Sequence, residues 1–124
     1  MNILKARDVK TFVPAKDFEI SLDFYQEAGW KLNFKEDSIA ELELANCRFF
    51  LQNYYVRAWA NNFMLFINVD DAQAWHIHMK AIAENKRYQP ARVKPPKTQD
   101  YGDLVTFAWD PSGVLLHFAQ AQLK

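Results

Sequence analysis

The chain has 124 residues, half of them hydrophobic and 15% aromatic, with 15 basic against 15 acidic side chains. That length suits one domain, residues 1–124, with a real core, and the charge balance gives no reason to expect nucleic acid or a membrane surface as a partner. One cysteine, Cys47, rules out an internal disulfide. Met1-Asn2-Ile3-Leu4-Lys5 has no signal-peptide pattern and no apolar run is long enough to span a bilayer, so a cytoplasmic protein is expected.

Residues 7–13 are rich in β-branched types and read as a first strand ended by Pro14. Asp17 is a good N-cap for the run that follows. Phe18, Ser21, Leu22, Tyr25 and Ala28 recur at helical spacing, and Gly29 supplies the stop. Trp30 to Phe34, Ser38 to Leu44 and Cys47 to Tyr55 read as three strands separated by Lys35-Glu36-Asp37 and Ala45-Asn46. Cys47 is expected to be a small core or interface residue.

Residues 57–62 read as a connector, and Phe63 to Val69 as a strand. Asp70 is placed to cap a second helix with Ala72, Trp75, Met79 and Ile82 on one stripe, ending near Asn85. Residues 89–103 hold three prolines and Gly102, which predicts an extended piece near Ala91 to Lys94 and then a loop. Leu104 to Trp109 and Val114 to Ala119 flank Asp110-Pro111-Ser112-Gly113, a type I turn sequence, and so form a closing hairpin.

The order strand, Asp-capped helix, further strands thus occurs twice, over about 6–56 and about 63–120. The predicted class is α+β: two βαβββ modules whose curved mixed sheets form a shared cavity. Each module alone leaves a sheet face uncovered, and pairing the sheets around a concavity would bury both.

His117 lies inside the last strand. It is a candidate core group, pocket group or metal ligand. His76 and His78, two apart on a helix, do not face each other and are expected on a solvated face. No His-Glu-x-x-His, Cys-x-x-Cys, Gly-rich phosphate loop or nucleophile elbow occurs. The aromatic residues are more informative. Tyr54, Trp59 and Phe63 cluster around the connector, while Tyr101, Phe107 and Trp109 flank the hairpin. With His117 they are the expected ligand-binding residues.

Three stretches together resemble the vicinal oxygen chelate superfamily, which includes glyoxalase I, extradiol dioxygenases, fosfomycin resistance enzymes and bleomycin resistance proteins. They are Phe12 to Tyr25 with Gly29-Trp30, then Asn68-Val69-Asp70-Asp71, then Tyr101-Gly102 with Phe107-Ala108-Trp109-Asp110-Pro111-Ser112-Gly113. By that resemblance the four metal-ligand positions of the metalloenzymes fall on Asp8, on Leu51 or Gln52, on Met64 and on His117. This is a poor set for a divalent ion, because a thioether suits soft metals. His117-Phe118 is similar to the His-Phe pair of the bleomycin resistance branch.

That branch implies a metal-free protein that sequesters a small molecule without a cofactor. Its ligand is held in aromatic-lined grooves of a homodimer that exchanges its N-terminal strand. Those binders are acidic and their ligand cationic, whereas this chain is neutral. The alternative that the superfamily implies is a metal-dependent lyase, isomerase, transferase or dioxygenase, with Asp8 and His117 on the metal.

Overall fold

The computed structural model describes residues 3–122; Met1, Asn2, Leu123 and Lys124, the ends of the expected domain, lie outside the described residues. The first sheet holds β1 (Phe12–Pro14), β2 (Lys31–Lys35), β3 (Ile39–Leu44) and β4 (Cys47–Gln52), with α1 (Phe18–Ala28) between β1 and β2. A short helix, α2 (Arg57–Asn61), leads to the second sheet. That sheet holds β5 (Met64–Asn68), β6 (Arg92–Val93), β7 (Lys97–Thr98), β8 (Leu104–Trp109) and β9 (Leu115–Gln120), with α3 (Ala72–Ala83) after β5.

Strand order is β1-β4-β3-β2 in the first sheet and β5-β9-β8-β6 in the second, where β7 also pairs with β8. In both, the first strand runs parallel to the last and the remaining pairs are antiparallel. The same permutation twice over shows the duplication that the sequence pattern suggested. Among the described residues no helix is long and apolar enough to cross a membrane.

Local signals explain most elements. Asp17 accepts the Ile20 N–H at the start of α1, and Gly29 closes the helix at φ 119°, a left-handed conformation that a side chain would strain. The second cap is Asp71, not Asp70: its side chain accepts from Ala74 N at 3.0 Å. Val69 donates to Ala119 O at 2.9 Å, so the chain is held on the sheet to the end of the expected strand and the cap falls one residue later than expected.

The first strand is shorter than expected. By the register Phe12↔Phe50, β4 begins at Cys47 opposite residue 9, and residues 3–8 have no strand beside them. The strand does end at Pro14, which is itself the last residue of β1, a place a proline can take because β1 is an edge strand. Ala15 N bonds Gln52 O at 3.0 Å, so the donor that Pro14 lacks would point away from β4. β4 stops at Gln52, where Tyr54 N turns back onto Gln52 O. Part of the expected connector is α2, five residues being too few to show a helical period. Cys47 is exposed at the start of β4, not a core residue.

One core serves both modules. Val13, Leu42, Phe49 and Leu51 from the first sheet meet Leu116, Phe118 and Ala108 from the second, with Tyr25, Trp30, Met79 and Tyr88 among them. The helices occupy this side, so each sheet buries one face here. His78 is exposed, as expected of a solvated face, and its Nε2 also lies 2.9 Å from Ala28 O and donates to the C-terminal end of α1.

The closing hairpin locks the modules together. Asp110 is fully buried. It accepts from Ser112 N at 2.8 Å, Val114 N at 3.0 Å and Tyr25 Oη of α1 at 2.7 Å. Ser112 Oγ accepts from Lys16 N at 2.8 Å and lies 3.3 Å from Ser21 Oγ. Gly113 sits at φ 93°, and a Cβ there would lie 3.0 Å from Asn61 Oδ1. Gly113→Ala should therefore lower stability by about 1–2 kcal/mol through strain and crowding together. Urea denaturation measures this, and a loss under about 0.3 kcal/mol would show that the turn relaxes freely.

Candidate functional site

Alternation along the strands decides which side chains leave the core. In β9, Leu116 and Phe118 are fully buried, so Leu115 and His117 point to the opposite face. The register extends that face across the second sheet. Phe66, His117 and Phe107 are direct neighbours on β5, β9 and β8, and Met64, Leu115, Trp109 and Arg92 form the next row. Lys94 N donates to Phe107 O at 2.9 Å, which extends the first row to Lys94.

This face is an open aromatic surface. The His117 ring meets Phe107 edge-on at 4.8 Å and Phe66 at 5.7 Å. Met64 and Phe66 are 60% and 52% exposed, although both are large and apolar. The Arg92 guanidinium stacks 3.6 Å above the Trp109 ring, and Lys94 Nζ lies 5.6 Å from the same ring.

His117 Nε2 is 3.4 Å from Met64 Sδ, a weak acceptor that a ligand oxygen would outbid. Its Nδ1 is shielded and has no partner among the described residues. Burial pushes the imidazole pKa down, which favours a neutral ring at pH 7.

The seven expected residues do not share one place. Phe107, Trp109 and His117 come together on this face. Tyr54, Trp59 and Phe63 form a separate ladder along α2, with centroids 6.1 Å and 5.9 Å apart, and Phe63 packs against the core side. Tyr101 stands 60% exposed in the loop before β8. Sequence reasoning did not single out Phe66, Arg92 or Lys94, whose place depends on cross-strand register.

The outward face of the first sheet is the counterpart. Phe12, Phe50, Glu41 and Phe34 make a row, with Phe50 5.3 Å from Phe12 and 6.2 Å from Phe34. Lys10 Nζ donates to Glu41 at 2.6 Å, Asn33 bridges Glu41 and Glu43, and Arg48 Nε reaches Glu43 at 3.1 Å. The hydrogen bond from Lys10, then that from Asn33, holds the Glu41 carboxyl below its usual range.

Phe12 and Phe34 are 45% and 41% exposed, so one chain does not close the two open faces into the expected shared cavity. A concavity does lie between the modules, on their inner side. It is a cleft of about 720 Å³ whose lining includes Phe49, Leu65, Ile67, Trp30 and Trp75.

The donor set does not fit the metal centre of the superfamily's enzymes. Asp8 lies 4.0 Å from Arg48 beside the first sheet, whereas His117 and Met64 sit on the second. The second sheet's open face offers one imidazole and one thioether with no carboxylate. No group of three His, Cys, Asp or Glu residues able to hold an ion comes together among the described residues.

No family model and no curated protein matches the chain. Solved structures do. A bleomycin resistance determinant encoded on transposon Tn5 superposes with a TM-score of 0.76 at 23% identity, over 94% of this chain and 99% of that one. The bleomycin-binding protein from bleomycin-producing Streptomyces verticillus, complexed with copper(II)-bleomycin, gives 0.79 at 18% identity, over 97% and 100%. A glyoxalase-related enzyme from Fulvimarina pelagi gives 0.71 at 18%, over 93% and 88%. At these identities the likeness is one of fold, the fold shared by bleomycin resistance proteins and glyoxalase-related enzymes.

Proposed function

We propose that the chain is a metal-free binding protein for small planar molecules, with the ligand stacked on the open face of the second sheet. The observation that carries this reading is the row Phe66–His117–Phe107 beside Trp109, in which Phe66 is exposed and the other three rings are half-buried, with one hydrogen-bonding nitrogen at its centre. Packing does not require such rings to face water, and a contiguous exposed aromatic patch marks a binding surface. The bleomycin-binding fold neighbours support a sequestering role. The donor set gives no support to metal-dependent turnover.

A homodimer completes the groove in this reading. The first sheet's open face carries rings among charges that are paired with one another, the second carries rings and cations, and a second copy would bring one set of rings against the other. Sedimentation at micromolar concentration tests the dimer; a strict monomer removes the second wall and leaves an open site.

The test of binding is titration with a neutral planar probe, 2-naphthalenemethanol, followed by calorimetry. Trp109→Ala should weaken it about tenfold, from one ring pair plus its buried area. His117→Ala should weaken a probe with a hydroxyl about fivefold, one hydrogen bond's worth. Absence of saturable heat with the unmodified protein ends the proposal.

A further inference from the structure

The charges on the second sheet's open face are all of one sign. By alternation the side chains on this side are Met64, Phe66 and Asn68 on β5, Leu115 and His117 on β9, Phe107 and Trp109 on β8, and Arg92, Lys94 and Lys97 at the edge, with Val105 and Ala119 on the same side but buried. None is acidic. Asp110 follows Trp109 but turns into the core, where its acceptors are taken by Tyr25, Ser112 and Val114.

The first sheet differs. There Lys10 is paired with Glu41, and Arg48 with Glu43 and Asp8. Among the described residues Arg92, Lys94 and Lys97 take part in no ion pair; Arg92 and Lys94 spend their charge on the Trp109 ring instead.

We infer that the ligand of this face is a planar molecule bearing an oxyanion, selected by Arg92 and Lys94. This rests on the ring-binding reading above and adds the charge of the ligand. Stacking on Trp109 fixes the plane of the guanidinium and leaves its N–H edges free, the geometry in which it grips two oxygens of a carboxylate, sulfonate or phosphate. Lys94, in the His117 row, brings a second positive charge to the same side. A cationic ligand would meet two like charges here, so the net neutrality of the chain conceals a polarised site.

Three probes with one ring system decide the matter: 2-naphthoate, 2-naphthalenemethanol and 2-naphthylmethylamine, titrated calorimetrically at low and high salt. The carboxylate should bind at least about tenfold tighter than the ammonium and lose affinity with added salt, while the alcohol does not. Arg92→Gln with Lys94→Gln should remove that preference and leave the alcohol within about twofold, the guanidinium's charge and fork both being lost. Both positions are exposed, so folding is not at stake. Lys80→Gln, exposed on α3, is the control and should change nothing.

If the alcohol binds and the ammonium equals or exceeds the carboxylate, the inference is overturned and ring binding stands. The same holds if the double variant keeps the preference. If none of the three binds, ring binding itself falls and this inference with it.

Discussion

Asp110→Ala should lower the stability of the protein by about 3–5 kcal/mol, enough to leave a small domain marginal. The carboxylate is the acceptor for three buried donors: the N–H groups of Ser112 and Val114 and the hydroxyl of Tyr25. Removing it strands all three out of reach of water, at about 1–3 kcal/mol each before relaxation. It also unties the closing turn from α1, so the loss falls on the joint between modules. Tyr25→Phe removes one donor with its bond and should cost less, about 1–2 kcal/mol. Urea denaturation of both variants measures this, and an Asp110→Ala loss near 1 kcal/mol would mean the turn is held by something else.

The same site should be pH-dependent. Burial pushes the Asp110 carboxyl from its usual 3.8 up to about 6, against the opposing pull of its donors. A raised folded-state pKa means stability that is fully present below about 3.8 and lost as pH rises through about 6. Asp110→Asn keeps an acceptor for the two N–H groups and lets Tyr25 accept from the amide, but cannot titrate. The stability of the unmodified protein relative to Asp110→Asn should thus fall by about 2.5 kcal/mol between pH 4 and pH 8. Parallel stability curves would show that the carboxyl titrates normally.

How much of this was legible in the sequence depended on the range of the signal. Asp17 and Gly29 act within a few residues, and they marked α1 correctly. Asp70 and Asp71 offer the same capping side chain, and the choice is made at long range by Val69 bonding Ala119. Trp59 and Phe63 do lie together, as their spacing suggested, yet Phe63 faces the core because side-chain direction follows from β5 pairing with β9.

Phe66, Arg92 and Lys94 join His117 and Trp109 only through register between strands far apart in sequence. β6 lies in a proline-rich stretch whose two-residue strand has no periodicity to read. The one-signed charge of the second face was likewise hidden, because composition sums over the whole chain.

Phe118→Ala should cost about 3–5 kcal/mol, the usual loss for a fully buried phenylalanine whose site collapses only in part. Phe118 is 0% exposed and stacks on Trp75 at 4.5 Å with ring planes 11° apart, while Trp75 in turn meets Trp30 of the first module at 6.5 Å. Phe118→Leu keeps most of the volume and should cost about 1–2 kcal/mol. A double-mutant cycle with Trp75→Ala should show a coupling of about 0.5–1.5 kcal/mol for the ring pair.

The consequence reaches the candidate site, because β9 alternates. Phe118 and Leu116 anchored inward are what turn His117 outward, and a one-residue slip of the strand would exchange the two faces. Phe118→Leu preserves that anchor, so it should bind 2-naphthalenemethanol within about twofold of the unmodified protein despite its lower stability. Calorimetric titration checks it: a large loss of affinity in a well-folded Phe118→Leu protein would mean that the ligand sits on the core side of β9, against Trp75, and not on the face that His117 shares with Trp109.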